Sequence, residues 1–523
     1  MTRTRAFAAA VAAVGLALLG ACTVGPFYRK PAVDIPVAWK VEAPWRVSAP
    51  NDAAPKGEWW QRFGDPQLDA LIRQALAGSP TLAAANARLA QSRALVTVAS
   101  AGLFPQASLS TRAIHQSISA NRPLTKYGSP NFQTRQDDFT ISLAVNYEAD
   151  LFGRVQRTIE GARASAEQSA ADLENTKLLL GTDLAAAYFN LRQVDTEIDV
   201  LSRSIELQRR ALGLVTSRHD LGAASGLDVA QQQAFIDNTL AQVDVLRRQR
   251  VQFENAIATL TGTPAPLFAL APEVKRVSPP AIPIGVPSDI LERRPDVASA
   301  ERAMAAANAQ IGVATAAFYP SITLGGPLGF ESTRLGTLFD SSSLVWSLGV
   351  SVLQPIFTAG RTRANIDFAR AGYDLTVANY RRIVLTAMQE VEDGILGSAA
   401  LDRAYAQAQV AVKSAARVLE LANARYEGGV SNYLDVISSQ QALLNAERQA
   451  SQLQGQRLLI VVFLVKALGG DWQGAKTMAT QSPPSRLPGF DSLRVDDAAP
   501  ARGLRLDVSL ELFRDRTAAH ESQ

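Results

Sequence analysis

Phe139–Arg154 reads FTISLAVNYEADLFGR, and 207 residues later Trp346–Arg361 reads WSLGVSVLQPIFTAGR. In the first, Phe139, Ile141, Leu143, Val145 and Tyr147 alternate with Thr140, Ser142, Ala144 and Asn146; in the second, Trp346, Leu348, Val350 and Val352 alternate with Ser347, Gly349 and Ser351. A period of two marks a strand with unlike faces. In both places a long helical pattern follows. A strand feeding straight into a helix, twice, is one structural unit built in duplicate.

The repeat extends in both directions. VASAGLFPQASL (Val98–Leu109) matches VATAAFYPSITL (Val313–Leu324) at an offset of 215, and RHDLGAASGLDV (Arg218–Val229) matches RYEGGVSNYLDV (Arg425–Val436) at 207. The offset changes between Leu109 and Phe139, so the first copy carries a longer loop there. Ile322, Leu324, Leu328 and Phe330 alternate with small or polar residues after Pro320. Strands are therefore expected at about 105–118, 138–149, 320–332 and 344–357. Apolar residues on one face with small or polar ones on the other suit a lipid-facing barrel, although a half-buried soluble sheet alternates in the same way. Four strands cannot close around a pore, so a barrel needs several chains.

Behind each strand pair the apolar residues step by three and four. Leu184, Ala187, Leu191, Val194, Ile198, Leu201, Ile205, Gln208, Leu212 and Val215 form a heptad seam broken only by Gln208. Leu401, Tyr405, Ala408, Val412, Ala415, Leu419 and Ala422 keep the register in the second copy, extended upstream by Ile366, Ala369, Tyr373, Val377, Tyr380 and Val384. No proline interrupts Arg154–Arg218, and a continuous helix of that length reaches about 100 Å at 1.5 Å per residue.

Arg3 and Arg5, the uncharged run Ala6–Leu19 and the small residues after it form a secretory signal. The run is too short for a membrane span, which needs about 20 residues. Leu19-Gly20-Ala21-Cys22 resembles a bacterial lipobox, and Cys22 is the single cysteine among 523 residues. One thiol excludes an internal disulfide or a cysteine-rich metal site. The 52 basic and 49 acidic residues of the whole chain leave no basic field for nucleic acid. His115, His219 and His520 lack metal-ligand spacing. With no catalytic constellation in view, a non-enzymatic role is expected. Glu390, Glu392 and Asp393 read as an acidic, solvated helix face.

Two turns separate long helical runs, His219–Gly226 and Glu427–Asn432. Gly222 and Gly429 suit helix C-termini that need a positive φ. Ser225 with Asp228 reads as a capping box, and Asn432 with Asp435 as a cap plus a first-turn acid.

CTVGPFYRKP after the lipobox, WWQRFGDPQLDALIRQAL (Trp59–Leu76), PSDILERRPDVASAERAMAAANAQIGVATAAFYPSITL (Pro287–Leu324), PIFTAGRTRA (Pro355–Ala364) and ALGGDW (Ala467–Trp472) carry a family resemblance. The chain resembles the TolC/OprM-like outer membrane factors, in their NodT-type efflux lipoprotein branch. That resemblance implies a mixed α and β membrane protein: a homotrimer whose four strands per chain close a 12-stranded outer-membrane β-barrel, continued by a long α-helical coiled-coil periplasmic barrel. It implies a passive exit duct for small molecules in a tripartite efflux system. The partners implied are a periplasmic adapter, an inner-membrane pump of RND type and outer-membrane lipid. It implies no cofactor beyond covalent lipid on Cys22, an S-diacylglycerol and an N-acyl chain; Thr23 after it implies forwarding to the outer membrane. In the family the helix tips constrict and receive the adapter. Asp435, and Asp228 as its repeat partner, are therefore pore-constriction candidates. Arg425, Tyr426, Gly429, Arg218 and Gly222 are tip and adapter-contact candidates. The family's further aspartate is Ser438 here, so a carboxylate ring and simple helix capping both stay open for Asp435. A one-step protein secretion channel of the same fold and a non-conducting coiled-coil scaffold are the competing functions.

The expected organisation is a signal peptide (1–21), a lipidated extended segment (22–66), a first repeat (67–262), a proline-rich connector (263–290), a second repeat (291–470) and a mostly irregular tail (471–523).

Overall fold

The computed structural model describes residues 24–30, 57–119, 134–275, 277–280 and 293–470, all within one compact unit, Met1–Gly474. The signal segment, Cys22, residues 281–292 of the connector and the tail from 471 onward lie outside the described residues.

The first copy runs α2 (Pro80–Ala101), β1 (Gln106–Ile118), β2 (Thr134–Ala149), α3 (Arg154–Asp220) and α4 (Gly226–Leu260), preceded by α1 (Pro66–Gly78). The second runs α5 (Pro295–Ala316), β3 (Ser321–Ser332), β4 (Leu344–Trp346), β5 (Gly349–Leu353), α6 (Arg361–Glu427) and α7 (Tyr433–Ala467). Corresponding helices have equal lengths: 22 residues in α2 and α5, 67 in α3 and α6, 35 in α4 and α7. Each 67-residue helix is about 100 Å long.

The heptad seam is the packed stripe. Leu184, Leu191, Val194, Leu201, Ile205 and Val215 are buried on α3. Gln208 is held in the seam by its amide N–H groups, which donate to Ser204 Oγ (3.0 Å) and Thr239 Oγ1 (3.3 Å), and by its main-chain carbonyl, which accepts from the Gln232 side chain (3.0 Å), while its Oε1 is buried without a hydrogen bond among the described residues. An amide at a seam position thus ties α3 to α4.

The strands are antiparallel in the order β1-β2-β3, with β4 and β5 both paired to β3. Two expectations need correction. A single strand over 344–357 is instead two short pieces, broken at Ser347–Leu348 and ended at Leu353. The break lies opposite Gly326–Pro327, where proline has no N–H to give to a ladder. Residues 22–66 are not extended throughout, since Trp59–Phe63 form a 3-10 helix with Trp59, Trp60 and Phe63 buried. In addition β2 starts at Thr134, where Arg135–Asp138 pair with Ile114–Ser117 as a polar extension of the hairpin.

That 3-10 helix and α1 pack on the middle of α3 and the end of α7, in a core holding Leu68, Ile72, Tyr188, Phe189 and Val465. Asp65 caps α1, accepting from the Gln67 N–H (3.0 Å), and also accepts from Tyr188 Oη (2.6 Å) and Lys275 Nζ (3.0 Å). Burial opposes ionisation of Asp65, but the bonds from Tyr188 and Lys275 outweigh it and hold its carboxyl below the usual range. This contribution to stability is present above the ordinary carboxylate range and is lost as pH falls through the depressed value, below about 4. Glu390 is not on a solvated face, as its sequence neighbours implied. It pairs with buried Arg294 at 2.7 Å and with Lys466 at 3.5 Å.

Candidate functional site

The register sorts the sheet into two chemically distinct faces. Leu109 lies beside Leu143, Leu143 beside Leu328 and Leu328 beside Trp346, an apolar row across the sheet. Thr111, Ile141, Phe330 and Leu344 make the next row, and Tyr147, Leu324 and Val350 another on the same face. Leu109, Leu328 and Trp346 are 70%, 53% and 68% exposed. A row of large apolar side chains this open to water would be strongly unfavourable; facing lipid, it is the expected surface of a membrane barrel. The other face carries Ser110 hydrogen-bonded to Ser142 (3.0 Å), Arg112 paired with Asp138 (3.0 Å), Thr140, Asn146, Gly325 and Gly329. Small and polar groups there suit a watery lumen. No described helix is long and apolar enough to cross a membrane.

Where the strands meet the helices, the described N-terminal segment is held down. The Val24 N–H donates to the Phe152 carbonyl at the corner between β2 and α3 (3.4 Å). Gly25 lies with φ 110° against Gly312 of α5, where any side chain would meet backbone. Asn308 donates to the Pro26 carbonyl (3.0 Å), Arg157 lies over the Phe27 ring (5.2 Å), and Lys30 pairs with Glu301 (2.7 Å).

The far ends of the long helices form the two tips. In the first, the Gly222 N–H bonds to the His219 carbonyl (2.8 Å) and the Ala223 N–H to the Arg218 carbonyl (2.7 Å); in the second, Gly429 bonds to Tyr426 (3.1 Å) and Val430 to Arg425 (3.0 Å). Gly222 and Gly429 sit at φ 75° and 73°, which a side chain would strain.

The sequence-derived tip residues divide into two groups. Arg218 reaches across to the second tip, donating to the carbonyls of Tyr426 (3.2 Å) and Glu427 (3.5 Å) with its guanidinium 4.7 Å from the Tyr426 ring centre. It satisfies the last carbonyls of α6 with a positive charge where the helix dipole is negative. Tyr426 packs on Tyr433 (5.0 Å between centres), and the Tyr433 hydroxyl donates to Gln232 of α4 (3.0 Å). Burial first, then the neighbouring Tyr426 and Asp228, push the Tyr433 phenol well above its ordinary range, so it stays a donor. Sequence reasoning passed over Tyr433 and Gln232, although an aromatic residue directly after a cap was a visible signal. Arg425, by contrast, is exposed and has no side-chain partner among the described residues.

The two aspartates also differ. Asp228 accepts from the Ser225 N–H (3.1 Å), closing a capping box with Ser225. At Asp435 the backbone is occupied: its N–H donates to Asn432 (3.2 Å), and its carbonyl accepts from Ser438 (3.1 Å) and Ser439 (2.6 Å). The Asp435 carboxylate is exposed and has no partner among the described residues.

The sequence model of the outer membrane efflux proteins matches residues 71–263 and 286–470. The pyoverdine export outer membrane protein OpmQ of Pseudomonas aeruginosa is 32% identical over 457 residues, covering 87% of this chain and 95% of its own. The toluene efflux pump outer membrane protein TtgF of Pseudomonas putida is 33% identical over 469 residues, 88% of this chain and 96% of its own. Among solved structures, the outer-membrane channel OprN superposes with a TM-score of 0.77 at 30% identity, covering 86% of this chain and 100% of that one. The Campylobacter jejuni CmeC outer membrane channel does so with 0.78 at 25% identity, covering 86% and 95%. A lipid-facing strand wall set on helices of periplasmic length, and a family match over both repeats, lead to one conclusion: the chain belongs to the outer membrane efflux proteins, TolC-like in fold, and is the outer-membrane channel of an efflux pump, reaching from the outer membrane into the periplasm.

Proposed function

We propose that three copies of this chain form the exit duct, fed by a periplasmic adapter and an RND-type inner-membrane pump, and that its cargo is small organic molecules. The observation that carries the ring is a mismatch between the two repeats. Contacts inside each copy occur twice, α2 on α3 as α5 on α6, and α3 on α4 as α6 on α7. Contacts that cross from the first copy to the second, β2 with β3, α3 with α5 and α3 with α7, have no counterparts of comparable extent among the described residues. Those would join β4 and β5 to β1, α6 to α2, and α6 to α4. Neighbouring copies supply them in a closed ring, where β1 is no longer an open edge. Phe368, Leu375 and Leu385 on α6 and Leu95 and Val98 on α2 are exposed apolar residues that such packing covers.

The conduit needs no bound energy source; the pump supplies the work. Relatives named for toluene and pyoverdine support a small-molecule cargo. Deleting the gene tests this. Greater susceptibility across a panel of antibiotics, dyes, metals and aromatic acids is expected, and a defect confined to protein secretion would overturn the small-molecule reading.

We further infer that Cys22 carries the lipid. Val24 is bonded at the strand–helix corner, and two residues of chain span at most about 7 Å, so acyl chains on Cys22 would reach the adjacent leaflet. Because the barrel has its own apolar wall, Cys22→Ala is expected to lower the yield of assembled oligomer while leaving some active. Complete loss of assembled protein despite normal export would contradict this.

Asp435 is the stronger of the two constriction candidates, since the Asp228 carboxylate is already committed to its cap. Asp435→Ala should raise single-channel conductance or weaken cation preference in reconstituted protein. Unchanged currents would assign Asp435 to the helix end alone.

A further inference from the structure

We propose that Arg425 binds the C-terminal end of α3 in a neighbouring copy of the chain, at the carbonyls of His219 and Asp220, and so closes the tip between copies. The proposal rests on the ring described above. Arg218 and Arg425 are repeat equivalents, and the turns that follow them make the same backbone hydrogen bonds. Yet Arg218 holds two carbonyls and a ring of the second tip, while Arg425 holds nothing among the described residues. The operation that carries the first repeat onto the second carries the second onto the first repeat of the next copy. It carries the acceptors of Arg218, Tyr426 and Glu427, onto His219 and Asp220 of the neighbouring copy. That helix end has a free Asp220 side chain among the described residues and negative terminal carbonyls, which suit a guanidinium.

The two seams are not equivalent. Within the chain, Arg218 is backed by the Tyr426–Tyr433 ring pair and by the Tyr433–Gln232 hydrogen bond. The repeat equivalents of Tyr426, Tyr433 and Gln232 are His219, Gly226 and Ser439, which can form neither the ring pair nor that bond. The seam between copies thus keeps the arginine and loses its support, so Arg425 carries more of the closure there than Arg218 does within the chain.

The test uses full-length protein purified as an oligomer. With Arg425→Cys and Asp220→Cys combined, a short bis-maleimide should convert most of the chain to covalent dimers and trimers on a denaturing gel, and neither single variant should do so. Arg425→Ala should also raise conductance more than Arg218→Ala. An intact oligomer by light scattering whose cysteine pair stays monomeric on the gel would overturn the contact alone. Cross-linking of position 425 only to an added adapter would overturn it in favour of a docking role. A monomer by light scattering would overturn the ring itself, and this contact with it.

Discussion

Asp195→Ala is expected to lower the stability of the helical body by about 3–5 kcal/mol, the cost of breaking a buried ion pair by removing one partner. Asp195 is the hub of a buried cluster. Its carboxylate takes Arg192 at 2.8 Å and Arg250 at 2.7 Å, and accepts the Glu273 N–H at 3.2 Å. The Arg192 and Asp195 side chains are 4% and 1% exposed. The arginines continue outward to the carbonyls of Ala271 (2.9 Å) and Leu270 (2.5 Å), so one carboxylate joins α3, α4 and the segment after α4. Alanine would take the shared, fully buried anion from both guanidinium groups, leaving Arg250 with Glu254 at 3.1 Å and Arg192 with only the half-exposed Glu273 at 3.8 Å. Asp195→Asn, which keeps an acceptor but loses the charge, should fall between the two. Urea unfolding followed by helical circular dichroism measures the change. A loss below about 1 kcal/mol, as for an exposed pair, would contradict the assignment.

The second large effect concerns the barrel. Gly326→Val should prevent the sheet from closing and leave almost no protein inserted in the membrane, because a Cβ at Gly326 would fall on the Ser347 carbonyl of the neighbouring strand. The obstacle is backbone, which has no rotamer to move to. Gly326 also stands beside Pro327, whose carbonyl accepts from the Ser347 N–H at 3.0 Å, so displacing either strand breaks this pairing too. Heat-modifiable mobility of membrane-extracted protein on a gel reports barrel formation. Gly336→Val, at a position with open space around it, is the matched control and should insert normally. Normal insertion of both variants would contradict the close approach.

Period and repetition made much of this fold legible. The offsets of 215 and 207 reappear as helix pairs of equal length, because a duplicated unit keeps its lengths where packing is dense. The strands showed through their alternation, since the two faces of the sheet meet different solvents. The break at Ser347–Leu348 did not show, because Trp346 to Val352 alternate without interruption and the cause sits on another strand, at Pro327. The Asp195 cluster and the Arg294–Glu390 pair were hidden for a related reason. Their partners lie far apart in sequence, and charges spaced along a helix look the same whether solvated or paired. At the tips, capping chemistry was local and could be read from Ser225, Asp228 and Asn432. The different fates of Arg218 and Arg425, and of Asp228 and Asp435, depend on which neighbour each one meets, and two similar repeats conceal that difference.

The most direct test of the account is electrical. Purified full-length protein in a planar lipid bilayer should give discrete current steps of uniform size, with larger steps from Asp435→Ala. Protein that inserts stably into the bilayer but passes no current would contradict the channel and leave a scaffold in its place.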